Sequence, residues 1–414
     1  MRPVRFVHAA DLHLDAPFAG VDASDPRVRA ALIAAPAEAF GRIVDLCLAE
    51  HVDFLVIAGD IYDNARNFAA QLRFQQETQR LADAGIPVYV AEGNHDPEST
   101  RPRDLVLPDT VHYFSARTAE RLEFHGEGAL ACAVYGQGYA RAAETANLAA
   151  GFKRAGGDPL AVAVLHTNIG GHEGAEDYAP ASLEDLRAAR MDYWALGHIH
   201  KPEVLSASPA IVYAGCPQGR SPKEDGPRGC FLVELDSTGA RTEFRVTSSV
   251  VWARTVLDAS GLANVDELRS ALRGVCEDAR AAAMGVPTIV RIEIGGRSDV
   301  HSTLARGTVL TELERDLCDE QMSRDPWVWV DRLSDRTGAT IDLEGIRSSQ
   351  DFLGDLVRTA DDLEADMTAL TSVVRGVLDP LESSLGTVDL ELTDRELLEQ
   401  ARDACLERLG GDVS

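Results

Sequence analysis

The chain has 414 residues, a net charge of −27, and 45% hydrophobic and 26% charged side chains, which is the balance of a globular protein with room for two or three domains. No run of about 18 apolar residues occurs, which excludes a membrane-spanning helix, and seven scattered cysteines without a CxxC pair fit reduced thiols better than disulfides or a thiolate metal site. The acidity argues against a surface that holds nucleic acid by general charge attraction. Nearly half of the acidic excess falls in residues 341–414, and the only lysines are Lys153, Lys201 and Lys223, so any phosphate contacts fall mainly to guanidinium groups.

In chain order, VRFVHAA (4–10) reads as a buried strand that ends in Asp11-Leu12-His13. Amphipathic stretches at 31–50 and 67–85 separate it from DFLVIAGD (53–60) and PVYVAEGN (87–94), two more core strands with polar ends. AVAVLHTN (161–168) and DYWALGHIH (192–200) repeat the pattern. Strand–helix–strand repetition with buried strands implies an α/β sheet core. AIVYAGC (210–216) and GCFLVELD (229–236), with Gly and Pro between them, read as antiparallel hairpin strands of a second sheet. VVWARTVLD, PTIVRIEIGG and PWVWVDRL, with helices at about 265–282 and 307–321, suggest a small α+β domain over 249–340. The acidic remainder, 341–414, reads as helical, with Phe352, Leu353, Leu356 and Val357 at helical spacing. The N-terminus meets Asp11 and His13 too early for a signal peptide, so a cytoplasmic protein is expected.

Five strands thus deliver Asp, His or Asn to their carboxyl ends, where α/β proteins place chemistry. Taken singly the motifs are weak: Asp60 could cap a helix and His166 could be a core histidine. Together they resist the structural explanation, because unpaired buried polar groups cost free energy. Mixed oxygen and nitrogen ligands suit two ions such as Mn, Fe or Zn, one carboxylate serving both. Such a pair activates water and clamps a phosphoryl oxygen, which is phosphoester hydrolysis. In GNHD (93–96), Asn94 offers a neutral oxygen ligand, His95 faces the leaving oxygen, and Asp96 is expected to orient His95.

The ordered pattern DxH…GD…GNHD…H…GHxH resembles the calcineurin-like metallophosphoesterases. HAADLHLD, DYWALGHIHKPEVL and YAGCPQGRSPKEDGPRGCFLVEL narrow the resemblance to the SbcD-type DNA-repair exonucleases, and within them to the bacterial YhaO-type branch. It covers residues 1–248 strongly and the rest in layout. It implies a two-sheet αββα sandwich, then the small α+β capping domain and the helical tail. By matching position it implies Asp11, His13, Asp60 and His200 on one metal and Asp60, Asn94, His166 and His198 on the other, with Mn²⁺ the usual ion. His95 becomes the catalytic histidine and Asp96 its partner. The family further implies DNA as substrate, an SbcC-like coiled-coil ATPase docked on the C-terminal helices, and a homodimer. Two positions depart from the pattern: Asp63 stands where archaeal and eukaryotic relatives carry a histidine, and Ala10 precedes the first motif.

An acidic protein must grip DNA locally, and Arg101, Arg103, Lys201, Arg220, Lys223 and Arg228 lie near the motifs as candidate phosphate contacts. His172 is a candidate for lining the cleft, His8 reads as core, and His51, His112, His125 and His301 read as packing or surface residues. The leading expectation is a Mn²⁺-dependent DNA nuclease, a 3′–5′ exonuclease on double-stranded ends with possible endonuclease action. The alternatives are a phosphodiesterase or phosphatase on a small or protein phosphoester, and a non-catalytic scaffold with the same fold.

Overall fold

The computed structural model describes residues 2–21, 24–101, 106–126, 128–171, 176, 178–305, 307–340, 342–385 and 392–409. The chain first lays down β1 (Val4–Ala9), α1 (Pro26–Ala49), β2 (Phe54–Ala58), α2 (Phe68–Asp83), β3 (Val88–Ala91) and β4 (Val111–Tyr113). These four strands pair in parallel, as buried strands joined by crossovers do. Both helices start on side-chain caps: Asp25 accepts from the Arg27 N–H with Pro26 behind it, and Asn67 accepts from the Ala70 N–H.

A second six-stranded sheet follows, from β5 (Glu120–Gly126), β6 (Ala129–Gln137), β7 (Ala161–His166), α3 (Leu183–Ala188), β8 (Tyr193–Gly197), β9 (Glu203–Ala207) and β10 (Ala210–Tyr213), with strand order β5-β6-β7-β8-β10-β9. β11 (Gly229–Asp236) and β12 (Gly239–Val246) then return to the first sheet, whose order is β12-β11-β1-β2-β3-β4. The hairpin expected between residues 210–216 and 229–236 is therefore not formed. β10 pairs with β8 and β9, whereas β11 pairs with β1 and β12. The Gly- and Pro-rich stretch between them crosses from one sheet to the other instead of turning back.

Strand alternation builds the layers. Phe54, Val56 and Ala58 meet Phe6, Val162, Val164 and Tyr193 between the two sheets. Leu55 and Ile57 face the other way, onto Phe40 of α1 and Phe74 of α2. Ala161, Ala163, Leu165 and Trp194 pack with Leu186 of α3 on the far side of the second sheet. The result is helix, sheet, sheet, helix, the αββα sandwich. Continued by two residues, the same alternation carries Asp60 and His166 onto the inter-sheet face.

The rest of the chain forms β13 (Val251–Asp258), α4 (Val265–Ala282), β14 (Thr288–Gly295), α5 (His301–Leu304), α6 (Thr308–Gln321) and β15 (Val328–Asp335), with a three-stranded sheet β13-β14-β15. It ends in α7 (Leu343–Ser348), α8 (Phe352–Ala365), α9 (Met367–Leu385) and α10 (Asp394–Leu409). Two compact units emerge: Met1–Arg254 with Cys276–Arg291 and Cys318–Arg332, and Thr255–Val275 with Ile292–Leu317 and Leu333–Ser414. In the first, Val250, Trp252, Ile289 and Met322 pack on Val28, Leu32 and Ala35 of α1. In the second, Val357, Ala360, Leu370 and Leu406 are buried, and ion pairs Arg297–Asp403 and Arg395–Glu364 tie α10 down. The helical stretch read through 349–374 breaks at Asp366, whose carboxylate accepts from the Thr368 and Ala369 N–H groups at 3.1 Å. Phe352, expected on the apolar face, is 68% exposed. Among the described residues no helix is long and apolar enough to cross a membrane.

Gly136 of β6 lies against the Phe114 ring, and an added Cβ would fall 2.0 Å from it. Gly136→Ala therefore overpacks the core and lowers stability by about 1–3 kcal/mol in denaturant titration, whereas Gly156→Ala, which meets open space, leaves the midpoint unchanged.

Candidate metal centre

Four of the predicted ligands adopt a backbone conformation that L-residues seldom hold: φ is +50° at Asp11, +43° at His13, +51° at Asp60 and +98° at His198. Such strain persists where surrounding structure over-determines it, and it clusters at functional sites. Hydrogen bonds supply that determination here. Asp11, His13 and Leu14 donate their N–H groups to the Gly59, Asp60 and Ile61 carbonyls at 2.9–3.0 Å, prolonging the β1–β2 ladder past the strands. The glycines before three ligands are packing requirements. A Cβ on Gly197 would lie 1.7 Å from the Ala58 carbonyl oxygen, on Gly93 2.2 Å from Asp60 Oδ1, and on Gly59 2.2 Å from His166 Nδ1.

The structure brings all seven predicted ligands to one place. Asp11, His13 and His200 form one cluster, and Asp11, Asp60 and His166 another. Asn94 Oδ1 is 2.9 Å from His166 Nε2, which is 3.5 Å from Asp60 Oδ2. The His198 N–H donates to both Asp11 oxygens, at 3.0 and 3.2 Å, and its ring stands 5.1 Å from that of His166.

The donor set fits cations. His13 Nδ1 is 2.7 Å from Asp63 Oδ1, and His200 Nδ1 is 2.6 Å from Glu224 Oε1. These acceptors claim the Nδ1 protons, so the two Nε2 atoms, 3.3 Å apart, turn lone pairs toward each other unless positive charge lies between them. His166 Nδ1 donates to the Ala58 carbonyl at 3.0 Å, so its Nε2 meets Asn94 and Asp60 oxygens lone pair to lone pair. His198 Nε2 lies 2.7 Å from the Glu176 carbonyl, which leaves its Nδ1 as the ligand atom.

The electrostatics divide the ligands: His13, His166, His198 and Asp60 shift toward their ligating forms, and Asp11 and His200 shift toward their protonated forms, whose protons a bound cation would have to displace. Burial pushes the Asp11 carboxyl up to about 6, against the pull of His200, and pushes His13 down to about 4. It also lowers His166 and His198, favouring neutral, ligating imidazoles. Burial works to raise Asp60, but His166, His13 and His95 outweigh it and hold the carboxyl low. Burial likewise opposes a charged His200, yet the Glu224 hydrogen bond and the Asp11 charge raise it.

His95 lines the cleft with 43% of its side chain exposed, and its N–H donates to Asp60 Oδ1 at 3.0 Å. Its expected partner is a correction. Asp96 does not orient His95; it is buried, accepting from the Ile61 N–H at 2.7 Å and the Gly93 N–H at 3.1 Å. Asp63 stands 3.3 Å from His95 Nδ1 instead. Sequence adjacency hid this, while the spacing of Asp63 three residues after Asp60 was the available signal. Glu224 also went unrecognised, although it lies inside the quoted PQGRSPKEDGPR stretch.

Of the expected phosphate contacts, Lys201 and Lys223 are exposed on the cleft rim. Arg101 is not available: it donates to Glu92 at 2.5 and 2.6 Å and lies over the Tyr113 ring at 4.4 Å. Arg228 is buried, donating to the His200 and Asp225 carbonyls at 2.6 and 2.9 Å. Arg220 lies beside Asp63 and Glu224 with 14% of its side chain exposed. Arg103 and His172 lie outside the described residues. His8 is a core residue as expected, bonded to the Tyr193 hydroxyl and the Leu196 carbonyl.

The chain matches the calcineurin-like phosphoesterase family over residues 4–202 and the family described as the middle domain of metallophosphoesterase YhaO over residues 252–338. It is 34% identical to the uncharacterized metallophosphoesterase YhaO of Bacillus subtilis (strain 168), across 90% of this chain and 89% of that protein. The chain belongs to the YhaO-type calcineurin-like metallophosphoesterases. This metallophosphoesterase is a metal-dependent phosphoester hydrolase whose ligands suit two divalent ions. It is also 29% identical to the DNA double-strand break repair protein Mre11 of Methanopyrus kandleri, over 65% of this chain and 62% of that protein. Among solved structures, a dimetal phosphatase from Danio rerio aligns over 60% of this chain and 97% of its own, with 12% identity and a TM-score of 0.37.

Asp63→Ala and Glu224→Ala each free an imidazole ligand, so each lowers Mn²⁺ affinity about 10–100-fold in calorimetric titration. Wild-type affinity in either variant would remove these carboxylates from the metal centre.

Proposed function

We propose that the metallophosphoesterase is a Mn²⁺-dependent DNA nuclease acting on double-stranded ends in the cytoplasm. The observation that carries this reading is the shape of the site. Asp60, Asn94, His95, His198 and His200 line an open cleft of about 1230 Å³, with Lys201 and Lys223 at its edge. An open cleft admits a polymer, and the two ammonium groups suit backbone phosphates without sequence preference. The likeness to an Mre11 repair protein supports the same substrate class.

Two divalent ions bound here would lower the pKa of the attacking water and set positive charge against the phosphoryl oxygens. The chain's own residues do the rest. Asp60 is held at the His95 N–H, and the Asp96 bonds to the Ile61 and Gly93 N–H groups fix the loop that carries Asn94, which together set the ligand spacing. Asp63 faces His95 Nδ1, leaving the other ring nitrogen to give a proton to the leaving oxygen. A second reading, hydrolysis of a smaller phosphodiester, draws support from Glu176, Glu203 and Asp225, which also line the cleft and repel a polyanion.

A coiled-coil ATPase of the SbcC type is the proposed partner, docked on the C-terminal helices. Val373 and Val377, one turn apart on α9, are 49% and 60% exposed, which suits such a contact. A second copy of the chain is the proposed neighbour of exposed Ile33, Phe68 and Leu72 on α1 and α2.

Purified protein with Mn²⁺ is expected to degrade linear plasmid DNA, and His95→Ala to lose about 10²–10⁴-fold of that rate. Cleavage of a chromogenic phosphodiester but not DNA, with or without the ATPase, would instead establish the smaller substrate. Co-purification with a co-expressed coiled-coil ATPase should be lost in Val373→Glu/Val377→Glu.

A further inference from the structure

The crossing between β10 and β11 carries Gln218-Gly219-Arg220, and each residue has a distinct task. Gln218 is buried and pins the loop: its amide donates to the Gly219 and Val250 carbonyls at 2.8 and 2.7 Å and accepts from the Ser249 N–H at 2.9 Å. Gly219 permits a tight approach, since a Cβ there would lie 2.5 Å from the Glu224 carbonyl oxygen. Arg220 is held at both ends of its backbone. Its N–H donates to Glu224 Oε2 at 2.6 Å, and its carbonyl accepts from the Ala19 N–H at 3.0 Å.

That anchoring delivers the guanidinium between two carboxylates. Arg220 Nη1 is 3.8 Å from Asp63 Oδ1, and Nη2 is 3.9 Å from Glu224 Oε1. These are the same two oxygens that accept from His13 Nδ1 and His200 Nδ1. Asp63 Oδ1 also faces His95 Nδ1. Both distances are too long for hydrogen bonds, and the buried Nε has no partner, so Arg220 acts here as a charge. Its positive charge attracts both outer carboxylates toward one point, and those carboxylates hold His13 and His200 in their ligating orientation.

We propose that Arg220 is a positioning residue: one guanidinium that holds the Asp63 and Glu224 carboxylates, and through them fixes both imidazole ligands of a single metal ion and the tilt of His95. The inference rests on the two-metal reading of the site and is independent of DNA as substrate, since its test reads metal binding alone.

The test is calorimetric titration of Mn²⁺ into the full chain, with thermal denaturation of each variant in chelator. Arg220→Met keeps the stem and the main-chain bond to Glu224 but removes the charge. It is expected to weaken one of two Mn²⁺ sites about tenfold, leaving the other site and the chelated midpoint unchanged. Arg220→Lys, which keeps charge without the planar fork, recovers part of the loss. In an Asp63→Ala/Glu224→Ala background, Arg220→Met adds nothing further, because the carboxylates it acts through are gone. Unchanged Mn²⁺ binding in Arg220→Met would overturn the proposal. So would an equal loss at both sites with a lowered midpoint, or an undiminished loss in the double-variant background.

Discussion

His13 and His200 bring their Nε2 atoms within 3.3 Å while carboxylates claim both Nδ1 protons. Two neutral imidazoles in that state repel, so the contact asks for positive charge at their meeting point. The same holds where His166 meets Asn94 and Asp60. Most other features of the first unit serve to keep these lone pairs converged. Because acceptors cannot cross-link one another, the orienting bonds must come from behind: Asp63, Glu224, and the Ala58 and Glu176 carbonyls each hold the far side of an imidazole.

Convergence also dictates the backbone. Five strands from two sheets approach closely enough that the Ala58 carbonyl occupies the space a side chain at 197 would need. A strand that ended in ordinary extended geometry would carry its ligand past the centre. Left-handed turns at Asp11, His13, Asp60 and His198 fold the side chains back, and the prolonged β1–β2 ladder absorbs the strain. The packed sandwich behind the site, with Phe6, Phe54 and Tyr193 at its middle, is stiff enough to impose this.

Much of this was legible in the sequence because two periodicities met a chemical anomaly. Buried runs such as FLVIA and AVAVLH announce core strands, and polar residues in phase with the inward face at several strand ends, as at Asp60 and His166, point to a ligand set, although His8 shares that phase and is a core residue. What stayed hidden has a common cause: local sequence carries no partner. AIVYAGC and GCFLVELD both read as buried strands, yet nothing in either run says which sheet it joins. The edge strands β5, β9 and β12 contain half-buried and exposed residues with no buried run to announce them. Asp96 follows His95 directly but points away from it, and Asp63 reaches the imidazole from another strand end. Arg101 reads as a free cation until Glu92, 1% exposed and nine residues away, appears beneath it.

Asp96 ties the loop bearing Asn94 and His95 to Ile61, directly after Asp60. Asp60 and the cleft histidine are thereby tied to one another by hydrogen bonds, and neither can be adjusted without the other. Diversification of such an enzyme is channelled outward: the chemistry is frozen as a cassette, while Lys201, Lys223 and the acidic groups around the cleft mouth stay free to drift. A lineage can change what it cleaves by repainting that rim, long before it can change how it cleaves.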